Sequence, residues 1–214
     1  MARDKKETLA GMPLRLKLTI KRLLDMVVAA MALVLLSPLF LFLTLIVKLT
    51  SPGPVFYRWH VVGKRGRPFI SYKFRSMVAN ADKLKSELEQ LNEMKGPVFK
   101  LSNDPRITRV GAWMRRYSLD ELPQLYSVLK GEMSLVGPRP PLVSEYARFS
   151  EYQKQKLAVT PGITCLWQVS GRNRVSDFDE WVGLDLEYIR HWSLRLDLKI
   201  LLKTVREVFV GSGR

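Results

Sequence analysis

Two adjacent carboxylates, Asp120 and Glu121, stand just past the middle of a 214-residue chain, directly after the basic run Arg115-Arg116-Tyr117. Consecutive acids on a helix point about 100° apart, so they cannot face each other across a sugar bond as glycosidase carboxylates must. They suit one charged centre approached from one side, such as a metal ion holding a diphosphate, and an Asp carboxylate can itself attack phosphorus. Cationic side chains that could neutralise phosphate oxygens are spread along the sequence: Lys73, Arg75, Arg115 and Arg139. Arg139 lies within Gly137-Pro138-Arg139-Pro140-Pro141, where prolines stiffen the backbone and leave little ordering entropy to lose on binding phosphate. Lys73 and Arg75 alternate with period two and so share one face of a strand. The site read from residues alone is therefore one for phosphoryl transfer, with Asp120 and Glu121 as catalytic and Mg²⁺-binding groups.

A local reading competes with it. Ser118 and Glu121 match the Ser-x-x-Glu capping box, in which each side chain bonds the other residue's backbone N–H at a helix start. That expectation begins a helix at Ser118 and ends it at Lys130-Gly131, with Asp120 in the first turn near exposed N–H groups and the positive end of the helix dipole.

Lys and Arg outnumber Asp and Glu by 35 to 20, for a net charge of +15, which calls for a polyanionic partner. The chain carries no zinc-finger spacing, aromatic RNA-binding signature or basic zipper, so nucleic acid is not the expected one. The single Cys165 excludes an internal disulfide. His60 and His191 stand alone and form no ligand set with it.

The elements around these groups follow from pattern. Residues 1–13 read as a polar tail. A basic amphipathic lead-in opens the segment 14–50, and residues 26–47 run without a single charge. As a straight helix that run measures about 33 Å, enough for a bilayer core. Ser37-Pro38 interrupts it at the midpoint, and both flanks are basic. Basic flanks want both ends on the cytoplasmic side, which a helix–break–helix satisfies and a kinked span does not; Pro in spanning helices is common enough to leave both forms open. Residues 51–214 then form the soluble part. Strands are expected at 55–62 and 68–77 around a basic hairpin loop, a helix at about 77–95, a short helix at 112–117, a charged helix at 143–159, a strand from 163 to 169, and two amphipathic helices from 178 to 210. The last could pack on the domain, lie on the bilayer, or both. Only one apolar run exists, which argues against a polytopic transferase. The whole is an α+β domain attached to a membrane segment.

KFRSM (73–77), SLDELPQL (118–125), GPRPP (137–141), PGIT (161–164), SGRN (170–173) and LDLKILLKT (196–204) occur in the order seen in monotopic bacterial phosphoglycosyl transferases, and the chain resembles that family from Ile20 to Val210. It looks like the minimal catalytic unit of these polyprenyl-phosphate sugar-phosphate transferases, without the additional N-terminal membrane helices of larger members; Cys165 stands where the family usually has Gly. The resemblance implies a membrane helix that re-enters, broken at Ser37-Pro38, and a compact catalytic domain on the cytoplasmic face of the inner membrane. It also implies that Asp120 attacks the β-phosphate of a UDP-sugar, releasing UMP, and that undecaprenyl phosphate then takes the sugar-phosphoryl group. Glu121 would join Asp120 at Mg²⁺ or help position the acceptor, while Arg115 and Arg139 would hold phosphate with Lys73 close by. A homodimer is compatible with the family, and the product would start exopolysaccharide, capsule or O-antigen synthesis.

Overall fold

A computed structural model describes residues 12–171, 175–211 and 213. Most of the polar tail and the loop residues 172–174 lie outside the described residues.

The apolar run forms two helices, α1 (Leu14–Leu35) and α2 (Ser37–Thr50), bent by 61° at the break. Pro38 sits in the first turn of α2, where its missing N–H costs nothing, and Ser37 Oγ donates to the Val34 carbonyl at 2.8 Å, compensating a bond the break removes. Among the described residues no single helix is long and apolar enough to cross a membrane, though the bent pair passes that test together. Leu23, Val27, Met31, Val34, Leu41 and Leu45 are all exposed, so the outer side of both helices is apolar.

The inner side is joined to the rest of the chain. α1 packs on α5 (Gln124–Lys130) and on β3 (Ser134–Val136). Arg22 donates to the Val128 and Leu129 carbonyls, at the end of α5 where the dipole favours a cation. Asp25, at the mouth of the apolar run, is buried and accepts from Ser134 Oγ at 2.7 Å and from the Leu135 N–H at 3.2 Å.

The expected hairpin forms. β1 (Phe56–Val62) pairs antiparallel with β2 (Pro68–Phe74), placing Tyr57 opposite Lys73 and Trp59 opposite Ser71. β2 ends three residues before the expected Met77, because the chain then turns to a second partner. Met77 bridges Ile107, and the Val78 N–H donates to the Arg106 carbonyl. That extended stretch also shortens the following helix. α3 is Ala81–Leu88, followed by a 3₁₀ turn at Glu89–Leu91 in place of continuous helix over 77–95.

α4 (Arg109–Arg116) is capped by Thr108, whose hydroxyl accepts from the Gly111 N–H at 2.9 Å. A Cβ at Gly111 would lie 1.9 Å from the Ser76 carbonyl oxygen, so glycine lets α4 press against the KFRSM segment.

β3 pairs in parallel with β4 (Gly162–Thr164). Here too a glycine allows close approach, since a Cβ on Gly162 would come within 2.1 Å of the Gly137 nitrogen. The strand expected to run to Val169 stops at Thr164, and α8 (Leu166–Val169) follows. The charged helix expected over 143–159 is broken into α6 (Val143–Tyr146), α7 (Glu151–Lys154) and a 3₁₀ turn at Gln155–Ala158. Ser150 restarts it with a capping box: its hydroxyl accepts from the Gln153 N–H, and Gln153 Oε1 accepts from the Ser150 N–H.

Two longer helices close the chain, α9 (Phe178–Arg190) and α10 (Leu194–Val210). α10 turns Ile200 into the interior but leaves Leu198, Leu202, Val205 and Phe209 exposed, so packing uses only part of its apolar surface.

The core has three centres. One gathers Phe149, Trp167, Phe178 and Trp181; the second joins Ala29 of α1 to Val128, Leu135, Tyr188 and Ile200. The third joins Leu43 and Val47 of α2 to Phe74 and Met114. Both halves of the bent pair therefore contribute to the packing that holds β2, α4 and α5 in place.

Candidate active site

The turn carrying the two carboxylates is not a capped α-helix start. Ser118 adopts φ 54°, ψ 24°, a left-handed conformation, and its side chain caps nothing. The capping-box reading of Ser118 and Glu121 is therefore corrected. Leu119–Glu121 is a single 3₁₀ turn, and α5 begins only at Gln124. The physical reason lies in α4: the Ser118 N–H donates to the Arg115 carbonyl at 2.9 Å, closing the end of that helix, and the chain must reverse sharply there. With three residues per turn, successive side chains diverge by about 120°. Asp120 and Glu121 are thus directed to different neighbours.

Glu121 meets two cations. Its Oε1 accepts from Lys73 Nζ at 2.7 Å and from an Arg139 guanidinium nitrogen at 2.9 Å. Burial pushes its carboxyl up, but Lys73 and Arg139 outweigh that and hold it well below the usual carboxylate range. Lys73 in turn is lowered by burial, against the raising effect of Glu121.

Asp120 differs. It is only 6% exposed, and among the described residues it has no ion-pair or hydrogen-bond partner. Burial pushes its carboxyl upward and the adjacent Glu121 adds to this, while Lys73, Arg115 and Arg139 pull the other way. An under-solvated carboxylate in a cationic surround is more basic and more nucleophilic than one in water.

The cations arrive from separate elements. Arg115 comes from the last turn of α4, with its Nε donating to Ser76 Oγ at 2.9 Å. Arg139 follows β3 in the proline-rich segment, which is fixed on both sides: the Gly162 N–H donates to the Pro138 carbonyl at 3.0 Å, and the Val62 N–H to the Pro141 carbonyl at 2.9 Å. The stiffness expected of that segment is reinforced by neighbouring strands.

Arg75 behaves otherwise. Its guanidinium donates to the Ser51 carbonyl at 2.7 Å, the Ser51 hydroxyl at 2.7 Å and the Pro52 carbonyl at 2.6 Å. It braces the turn after α2 rather than joining Lys73 and Arg139 at Glu121, although it borders the same cavity.

That cavity has a volume of about 890 Å³ and is lined by Lys73, Arg115, Asp120, Glu121 and Arg139, and by Trp59. Its size suits a nucleotide-sized ligand. Among the described residues, no group of three or more His, Cys, Asp or Glu side chains gathers to hold a metal. Trp59 and Ser76 escaped the motif reading. The hairpin register could have found Trp59, because it lies diagonally across from Lys73 on one face of the sheet.

Comparison with known proteins identifies the family. Residues 16–211 match the family described as bacterial sugar transferase. The chain is 48% identical over 193 residues to "Galactosyl transferase CpsE" of Streptococcus agalactiae, covering 90% of this chain and 43% of that protein. It is 43% identical over 197 residues to "Exopolysaccharide production protein ExoY" of Rhizobium meliloti, covering 90% of this chain and 87% of that one. It is 42% identical over 202 residues to the "UDP-glucose:undecaprenyl-phosphate glucose-1-phosphate transferase" of Escherichia coli, covering 91% and 41% respectively. The chain thus spans less than half of the first and third relatives and most of the second. The chain belongs to the bacterial sugar transferase family.

Proposed function

We propose that this chain transfers a sugar-1-phosphate from a UDP-sugar to undecaprenyl phosphate at the cytoplasmic face of the bacterial inner membrane, releasing UMP, through a phosphosugar intermediate on Asp120. The observation that carries the reading is the contrast between neighbours: Glu121 is locked between Lys73 and Arg139, whereas Asp120 is buried at the cavity with no ion-pair or hydrogen-bond partner among the described residues. A structural acid would be paired; a nucleophile must keep its oxygens available.

In the first step an Asp120 oxygen bonds to the sugar-bearing phosphorus, and the bond from that phosphorus to the bridging oxygen breaks. UMP leaves with the electron pair. In the second step an oxygen of undecaprenyl phosphate bonds to the same phosphorus, and the Asp120 carboxylate leaves with its electrons. Neither step needs a proton. Charge is what must be managed, and Lys73, Arg115 and Arg139 supply positive groups where negative oxygens accumulate.

Mg²⁺ fits the donor set. Hard oxygen ligands remain on Asp120 and on the second oxygen of Glu121, the first being occupied by Lys73 and Arg139, and Mg²⁺ takes one or two carboxylates plus substrate phosphates. When bound there it would neutralise the diphosphate.

The names of the relatives support the substrate classes, since one is a UDP-glucose:undecaprenyl-phosphate glucose-1-phosphate transferase. The bent apolar pair with its exposed outer face supports the membrane site. Entering and leaving by one face, it would keep both basic flanks in the cytoplasm and place Asp120 between a soluble nucleotide and a lipid phosphate. The test is UMP release from a panel of UDP-sugars in the presence of undecaprenyl phosphate. Wild type should release UMP with at least one of them, and Asp120→Asn should not; turnover preserved in the variant would overturn the covalent route.

A further inference from the structure

Lys73 and Arg139 share more than Glu121. The Lys73 ammonium lies 4.0 Å from the centroid of the Trp59 ring, and the Arg139 guanidinium carbon lies 5.2 Å from the same ring system. Trp59 is 6% exposed, stands in β1 opposite Ser71, and forms part of the cavity wall. Two cations are thus gathered by one carboxylate oxygen and one indole.

This pairing poses a physical problem. Lys73 and Arg139 repel each other, and Arg139 works against the charged form of Lys73. Glu121 contacts both cations, and Asp120 adds a second negative charge nearby without bonding to either. A further carboxylate in contact with the pair would repel an incoming phosphate. An indole face attracts cations through its quadrupole while carrying no net charge, and it is the strongest aromatic partner for them. It also excludes water from one side of the pair, which strengthens every interaction on the other side.

We propose that Trp59 is a positioning residue that assembles Lys73 and Arg139 into a cradle for a diphosphate. It acts through the two cations, not on the reacting atoms. The inference rests on the reading that this cavity receives the diphosphate of a nucleotide-sugar.

The experiment uses the full chain in detergent and compares Trp59→Phe, which keeps an aromatic face, with Trp59→Leu and Trp59→Met, which keep apolar volume without one. Two readouts are taken: the affinity for inorganic diphosphate by calorimetry, and kcat and KM for UMP release. The Leu and Met variants should bind diphosphate about tenfold more weakly and lose about tenfold in kcat/KM, while Phe stays within about threefold of wild type in both. Thermal midpoints should fall alike in all three, so folding does not explain the difference. Equal diphosphate affinity in Phe and Leu variants would overturn the inference, as would a wild type that does not bind diphosphate. A wild type that binds diphosphate in a Trp59-dependent way yet releases no UMP from any UDP-sugar would leave the cradle standing and remove the transferase reading. An active wild type with indifferent Trp59 variants would do the reverse.

Discussion

Lys21 Nζ lies 2.6 Å from an Asp197 carboxylate oxygen, 176 residues further along the chain, and so ties the lead-in helix to the last one. Tyr188 donates to the other Asp197 oxygen at 2.8 Å, and Trp192 to the same oxygen as Lys21 at 3.2 Å. Lys21 also donates to the Val136 carbonyl, next to the segment that presents Arg139. Helix α1, helix α10 and the strand that leads to Arg139 therefore share one polar junction. Lys21→Met should leave the Asp197 charge uncompensated and lower stability by about 3 kcal/mol. Asp197→Asn in the same chain should recover part of that loss. Thermal unfolding in detergent measures both, and an unchanged midpoint in Lys21→Met would show the junction to be dispensable.

The left-handed turn at Ser118 predicts a substitution pattern opposite to that of a helix cap. Ser118→Gly should hold or raise the thermal midpoint, because glycine adopts φ 54° without steric cost. Ser118→Val should lose about 1–2 kcal/mol, because its branched side chain adds a second γ-atom to an already crowded left-handed conformation. A lower midpoint for Gly than for Val would contradict the backbone geometry.

Lys156 and Asp185 form an ion pair at 2.7 Å with 1% of each side chain exposed, and the ammonium sits 4.8 Å from the Trp181 ring centroid. Removing one partner strands a buried charge. Lys156→Met should cost about 3–5 kcal/mol, and adding Asp185→Leu should restore most of it. A double variant no more stable than the single one would show that the pair is not the unit of stabilisation.

Cys165 tests burial through pH. Its thiol is pushed up to about 12, mainly by burial and then by Asp185. The thiolate is the reactive form, and an exposed thiol would deprotonate near roughly pH 8.5. Iodoacetamide should therefore label the folded protein negligibly, with little increase from pH 7 to 9, and label it fully once unfolded. The native state keeps a proton that the unfolded chain gives up above about pH 8.5, so this group's contribution to stability is complete below that pH and is lost as pH rises toward the native value. Fast labelling of folded protein at pH 8 would refute the burial.

Much of this fold was legible because its signals are local. The aromatic and β-branched stretches on both sides of Gly63–Arg67 located the hairpin, and the charge-free run with Ser37-Pro38 at its centre located the bent helices. Asp120, Glu121, Lys73, Arg115 and Arg139, grouped by residue type before any contact was known, do line one cavity. What stayed hidden depends on distant partners. Ser118-x-x-Glu121 has the residues of a capping box, but the Arg115 carbonyl decides its backbone, while the box that forms is Ser150 with Gln153. Arg75 was expected to share a strand face with Lys73, but β2 ends at Phe74 and Ser51 and Pro52 take the Arg75 donors. β3 and β4 are three residues each and pair across a crossover, too short for an alternation signal. Trp59 gains its role only from the register that brings it beside Lys73.

The central claim is that Asp120 carries the sugar-phosphate, and intact mass of the protein after incubation with a UDP-sugar, without lipid acceptor, tests it most directly. Wild type should gain the mass of one sugar phosphate while releasing one equivalent of UMP, and undecaprenyl phosphate should then remove the adduct. Asp120→Asn should gain none, whereas Cys165→Ala should behave as wild type. Transfer to undecaprenyl phosphate at the wild-type rate by Asp120→Asn, or an adduct that maps to another residue, would contradict the account.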